Sequence, residues 1–336
     1  MRNMSFAVLA LSALTSAISA QTPKQTLLAL SKHDHTIAIV DPTTLKVIAK
    51  APVGNDPHEV IASTDGKTAY VSNYGGGAYN TLAVIDLVNQ KALPSIDLGA
   101  LKGPHGLYFA GGKLWFTVEG SKAFGSYDPS TQKVDFILGT GQNRTHMIYV
   151  FDDLKHIITT NVSSGTVTLI EKLPPRTGGA PPAPSGGDWD ETVVRVGNGS
   201  EGFDVSPNHK EIWVANAQDG TISIIDTATK KVVDTLNANV QSANRLRFTP
   251  DGSHVFVSGL RMDHVTVFDA ATRKDMKEIK VGHGAAGIEM QPDGSRAYVA
   301  STPDNFVSVI DLKTLQVVGK IDVGIEPDGL AWAMRQ

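Results

Sequence analysis

The chain of 336 residues contains no cysteine. That excludes disulfides, thiolate metal ligands, a cysteine nucleophile, lipid attachment through a cysteine and the Cys-x-x-Cys-His attachment of a haem. Positive charge is not in excess: 30 Lys and Arg stand against 34 Asp and Glu, a formal net charge of -4. The chain therefore lacks the electrostatic footprint of a nucleic-acid binder, and no nucleic-acid partner is expected. Apolar runs are short. None reaches the roughly 20 residues that span a bilayer, so no transmembrane segment is expected in the mature chain. There is no Gly-x-Ser-x-Gly elbow, phosphate loop or dinucleotide fingerprint. Gly75-Gly76-Gly77 is followed by neither Lys-Ser nor a helical pattern, and no segment shows helical periodicity with caps.

What remains is an ordinary globular balance, 41% hydrophobic and 19% charged. Residues 1–20 read as a secretory signal peptide. Arg2 supplies the positive start, 6–14 form a short apolar core, and Ala17, Ser19 and Ala20 suit cleavage before Gln21. Export without disulfides fits a periplasmic or secreted protein.

The mature sequence repeats itself about every forty residues. One copy runs Pro292-Asp293-Gly294, Arg296-Ala297-Tyr298-Val299-Ala300 and Phe306-Val307-Ser308-Val309-Ile310-Asp311. Its predecessor runs Pro250-Asp251-Gly252, His254-Val255-Phe256-Val257-Ser258 and Val265-Thr266-Val267-Phe268-Asp269. Each copy holds four short runs of β-branched and aromatic residues separated by turn residues. Asp41, Asp86, Asp128, Asp226, Asp269 and Asp311 end the third run, where a carboxylate can accept from turn amides. One such unit cannot bury both faces, whereas a ring of them can. The pattern predicts an all-β, seven-bladed β-propeller with four-stranded blades. Residues 21–336 form its single domain, and the N-terminal strands pair with the C-terminal one to close the ring. A Pro/Gly-rich insertion at 173–191 reads as a surface loop between strands of one blade.

In a propeller the first strand of each blade lines the central channel. Aligning the repeats puts His58, His105, His146, Glu201, Asn244, Ala286 and Asp328 at its equivalent start. Residues far apart in sequence thus converge on one axis. Imidazole and carboxylate bind Zn²⁺, Mn²⁺, Fe²⁺ and Cu²⁺, so His58, His105, His146 and Glu201 are the expected ligands of one divalent ion. Two other readings stay open: a metal-free polar or anion site, and a water-filled channel lining. Asn244, Arg245, Asp328, Asn73, Tyr74 and Arg261 are the candidate ligand-binding residues. Asn161 and Asn216 are expected on the same face. Arg245 either grips a ligand carboxylate or pairs with Glu59 or another blade's acid. Glu201, Glu119 and His35 are the candidate catalytic bases. His33 and His35 occupy a loop opening on that face, and reach inward or stay solvated; His283 sits near the rim.

Tyr70-Val71-Ser72-Asn73 and Trp213-Val214-Ala215-Asn216 resemble the second strand of the YVTN β-propeller repeat family, and the resemblance covers roughly residues 26–334. It implies the fold and little of the function. The polar column is similar in arrangement to metal-dependent propeller lyases and lactonases, including the streptogramin B lyases, with no residue-by-residue match. That similarity implies lyase or lactone hydrolase chemistry on a small polar ligand, with the metal as Lewis acid. The alternatives are a non-catalytic binding or scaffold propeller, and a partner subunit of a periplasmic redox enzyme like the propeller subunits of quinoprotein amine dehydrogenases.

Overall fold

The computed structural model describes residues 23–174 and 188–335. The expected signal peptide, and residues 175–187 of the expected insertion, lie outside the described residues. The chain forms seven four-stranded antiparallel sheets. In the second blade these are Pro57–Ala62, Thr68–Asn73, Thr81–Asp86 and Lys91–Asp97, from axis to rim. The first blade closes the ring as the repeats predict. Its innermost strand is the C-terminal Pro327–Met334, paired with Gln25–Ser31 so that Leu27 faces Trp332 and Leu28 faces Ala331.

The strand run follows from residue type. The second and third strands are buried nearly throughout, as in Glu211–Asn216 and Thr221–Asp226 of the fifth blade. The outermost Lys231–Asn237 alternates between exposed and half-buried positions, because one of its faces meets solvent. The third-strand aspartates cap the next turn as expected: Asp41 accepts from the Thr43 amide, Asp226 from Thr229 and Asp311 from Thr314.

There is no single core. Seven apolar clusters each join one blade to the next; Trp213, Ile222 and Ile224 of the fifth blade, for example, pack on Leu246, Val255 and Val257 of the sixth. Each blade is thus stabilised chiefly by its neighbours, which makes closure of the ring a condition of stability.

Candidate functional site

Two local devices recur at the start of every innermost strand, and a third in four of the blades. The residue two positions earlier has a left-handed φ in all seven blades: Asp56, Gly103, Arg144, Gly199, Ser242, Gly284 and Glu326. The ladder to the second strand then slips, between Pro57 and Val60 in the second blade and between Thr145 and Ile148 in the fourth. Such a bulge re-aims side chains and frees amides. Hydroxyls of the second strand take up the freed groups. Thr117 Oγ1 accepts from the Gly106 amide at 2.9 Å and donates to the His146 carbonyl at 2.5 Å; Thr160 and Ser258 do the same for the blades that follow. Neighbouring innermost strands approach so closely that a Cβ on Gly106 would lie 2.4 Å from the His146 carbonyl oxygen. Glycine is therefore a packing requirement at Gly106, Gly202, Gly287 and Gly329, whereas Glu59, Met147 and Arg245 occupy the equivalent position in the other three blades.

The seven aligned residues do converge. All of them line one cavity of about 410 Å³ at the channel mouth, with Lys32, Tyr74, Arg144, Arg245 and Leu260 among its other walls. A second register supplies part of that wall. Lys32, Tyr74, Leu260 and Thr302 each follow directly on the second strand of their blade, as does Glu119 behind the wall.

Within the site, His105, Glu119 and His146 form a buried group whose ligand atoms all lie within 4.8 Å of one another. His105 and His146 are each 2% exposed and Glu119 6%. The His105 and His146 rings lie 3.8 Å apart, centroid to centroid. Glu119 Oε1 contacts His146 Nδ1 at 2.5 Å. The Tyr74 hydroxyl donates to Glu119 Oε2, and Arg144 Nε donates to the same oxygen at 3.2 Å. Glu201 Oε2 lies 2.7 Å from His146 Nε2, in ion-pair contact but without the alignment of a hydrogen bond. His105 Nδ1 is buried with no hydrogen-bond partner.

Charge follows this geometry. Burial works against ionised His146, but Glu201 and Glu119 on its two sides raise its pKa above the ordinary value. Burial likewise opposes an ionised Glu201, yet the His146 charge brings it down to about 2. Glu119 is also lowered, against its burial, by His146 and Tyr74. His105 goes the other way. Burial, followed by the charges of His146 and His58, holds it well below the ordinary value and so neutral. Burial and Glu119 raise the Tyr74 phenol, which stays protonated.

The expected ligand set is thus rearranged. His105 and His146 stand together as expected, and Glu119, expected as a base, joins them. Glu201 touches His146 from the cavity side. His58 lines the cavity, but its Nε2 accepts from Lys32 Nζ at 2.9 Å and its Nδ1 faces Asp56 Oδ1 at 3.3 Å. It lies outside the three-residue group. Asp328 lines the cavity and pairs with Lys32 at 3.3 Å, and Asn244 lines it as well. Arg245 pairs with Glu59, one of its two expected roles, and still lines the cavity.

Other expected residues stand elsewhere. Asn73 donates to Thr81 Oγ1; Asn161 and Asn216 likewise bond third-strand hydroxyls, so these amides knit strands, and none of the three lines the cavity. His33 and His35 are exposed, and neither lines the cavity. Arg261 and His283 line an adjoining rim pocket with Asp263 and His264, which shares Leu260, Gly284 and Pro303 with the cavity. Sequence reasoning missed Lys32, Asp56 and Arg144. Their signal was positional: one follows a second strand, and the other two precede aligned positions by two residues.

No protein-family model matches the chain, and no curated protein matches its sequence. Among solved structures, a functionally unknown protein from Desulfotomaculum acetoxidans is similar, with a TM-score of 0.75 at 16% identity over 93% of this chain and 99% of that one. A chain of Kuenenia stuttgartiensis hydrazine synthase is similar with a TM-score of 0.64 at 17% identity, over 82% of this chain and 89% of that one. These likenesses establish the β-propeller fold. With 1628 solved chains matching it, the fold alone says little of function.

Proposed function

We propose that this YVTN-type propeller is a periplasmic protein that holds a divalent metal ion on His105, Glu119 and His146 and acts on a small polar substrate in the adjoining cavity. The observation that carries the reading is the buried His105–Glu119–His146 group, with His105 held neutral and its Nδ1 left without a partner. Neutral imidazole is the form that binds metal. Fixed charge supports it. Three ion-pair groups surround the cavity: Lys32 with Asp56 and Asp328, Arg144 with Glu119 and Glu201, and Arg245 with Glu59. These are three fixed positive charges against five carboxylates, so a protonated His146 leaves the site one positive charge short and a neutral, metal-binding His146 leaves it two short; buried charge of one sign calls for a counter-charge.

A metal there supplies Lewis acidity for lyase or lactone-hydrolase chemistry. The chain's own residues divide the remaining work. Tyr74 and Arg144 orient Glu119; Glu201, on the cavity side, is the proton acceptor; the protonated Tyr74 hydroxyl is the nearby donor. A second, metal-free reading is favoured by one contact pattern: both ring nitrogens of His146 already face carboxylates. In that reading the group is a polar binding site, and the protein binds a ligand or a partner without turnover.

Metal analysis separates the two. Protein purified without chelator and offered Zn²⁺, Mn²⁺, Fe²⁺ and Cu²⁺ should retain one equivalent. His105→Ala and Glu119→Gln should lose it while keeping the β circular dichroism of the wild type. Retention of none by the wild type leaves only the metal-free reading. Recovery of the chain from a periplasmic fraction with Gln21 at its N-terminus tests the export half of the proposal.

A further inference from the structure

The cavity is two-sided. Its walls from the first six blades carry Lys32, His58, His105, Arg144, His146, Glu201 and Arg245, whereas the sixth and seventh blades add Leu260, Ala286 and Pro303. On the polar side two of the cations each reach two carboxylates. Lys32 is shared between Asp56 and Asp328, and Arg144 reaches Glu119 and Glu201. Arg245 is only half used. Its Nη2 donates to Glu59, but its Nη1 is buried without a partner, and the residue is 8% exposed.

An unpaired buried guanidinium nitrogen costs stability unless something accepts from it. Arg245 lines the cavity, so a cavity ligand can supply that acceptor. Charge-assisted bonds to carboxylate are roughly twice as strong as neutral ones. A divalent ion on the neighbouring group removes the excess of negative charge that would repel an anion.

We propose that the cavity takes a small monocarboxylic acid, its carboxylate on Arg245 Nη1 beside the metal group and its apolar tail against Leu260, Ala286 and Pro303. This rests on the metal reading above and names the substrate class of that site. The tail is short, because about 410 Å³ also has to hold the polar end.

The test is calorimetric titration of the full chain, loaded with Zn²⁺ and metal-free, with isovalerate, its neutral analogue isovaleramide, and isopentylamine. Isovalerate should bind the loaded protein about tenfold or more tighter than isovaleramide, and isopentylamine more weakly than either. Because Arg245→Gln alone strands Glu59, the informative variant is Glu59→Gln with Arg245→Gln. It should retain zinc and lose the preference for the acid. Leu260→Asn should weaken isovalerate several-fold with zinc unchanged. Equal or tighter binding of the amide overturns the proposal, as does a double variant that keeps the preference. So does a zinc-loaded wild type that binds no isovalerate, which leaves the metal reading standing. If the chain holds no zinc, the metal reading fails by itself. Isovalerate binding to the metal-free chain that is lost in the double variant then still supports the carboxylate subsite, and no binding overturns that too.

Discussion

Arg245 donates from Nη2 to Glu59 Oε1 across the central channel, joining the innermost strands of the second and sixth blades. The partners are 186 positions apart in sequence, and both side chains are nearly buried. Breaking such a pair from one side leaves a charge stranded in low dielectric. Arg245→Ala should therefore destabilise the protein by about 3–5 kcal/mol, whereas Glu59→Leu with Arg245→Leu should cost much less. Urea unfolding of the two variants checks this. Equal losses would mean that the pair is solvated and weak.

The His105–Glu119–His146 group should make a bell-shaped contribution to the stability of the metal-free protein. His146 is raised in the folded state, so its contribution is complete below the ordinary value of 6.5 and is lost as pH rises through the higher folded value. His105 is lowered, so the folded state refuses a proton that the unfolded chain accepts, and stability drops as pH falls below 6.5. The ion-paired Glu201, at about 2 in the fold against 4.5 ordinarily, adds a further loss below 4.5. Glu289, pushed up to about 7 by burial, works against the His105 limb between pH 4.5 and 7, so the check is the difference between the Tm profiles of chelator-treated wild type and variants. His105→Asn should flatten the limb just below the peak and His146→Asn the alkaline limb, each limb being at most about 1.4 kcal/mol per pH unit. A profile that neither variant alters would disprove the assignment.

Tyr74 touches Glu119, not the expected metal. Groups that orient a ligand typically contribute 10- to 100-fold in affinity. Tyr74→Phe should weaken Zn²⁺ about tenfold in a competition titration with a chromophoric chelator and leave Tm nearly unchanged. An unchanged affinity would show that Arg144 alone positions Glu119.

Gly106→Ala tests the close approach of neighbouring innermost strands. The added methyl meets the His146 carbonyl oxygen at 2.4 Å and Met147 Cα at 2.7 Å, both on backbone that cannot swing aside. A loss of about 1–3 kcal/mol is expected, together with weaker metal retention, since the strand that moves carries His146. Thermal melts and metal analysis of the same preparation measure both.

Removal of residues 327–336 takes away the innermost strand of the first blade and opens the ring. Because every blade leans on its neighbours, the loss should spread beyond that blade and lower Tm on the order of 10 °C or more. Calorimetry showing one unshifted transition would contradict closure as the source of stability.

The sequence by itself determined the ring. Repeat length, the Asp-Gly turns and the count of strand runs settle seven blades, and the strand period puts His58, His105, His146 and Glu201 in register. Those are local properties, repeated along the chain with variation: Asp65-Gly66, Asp251-Gly252 and Asp293-Gly294 keep the turn that Gly111-Gly112 replaces in the third blade. The YVTN-like asparagines show the limit of such reading. Asn73 looks like a site residue in one dimension, yet the hydroxyl of Thr81 lies within its reach only once the strands pair. Tertiary structure alone decided that Glu119, and not His58, completes the buried group. The turn after the second strand of the third blade swings Glu119 onto His146, while Lys32 and Asp56 hold His58 aside. It also decided that Arg245 faces Glu59 across the channel. Contacts between blades depend on how the whole ring closes, and no repeat records them.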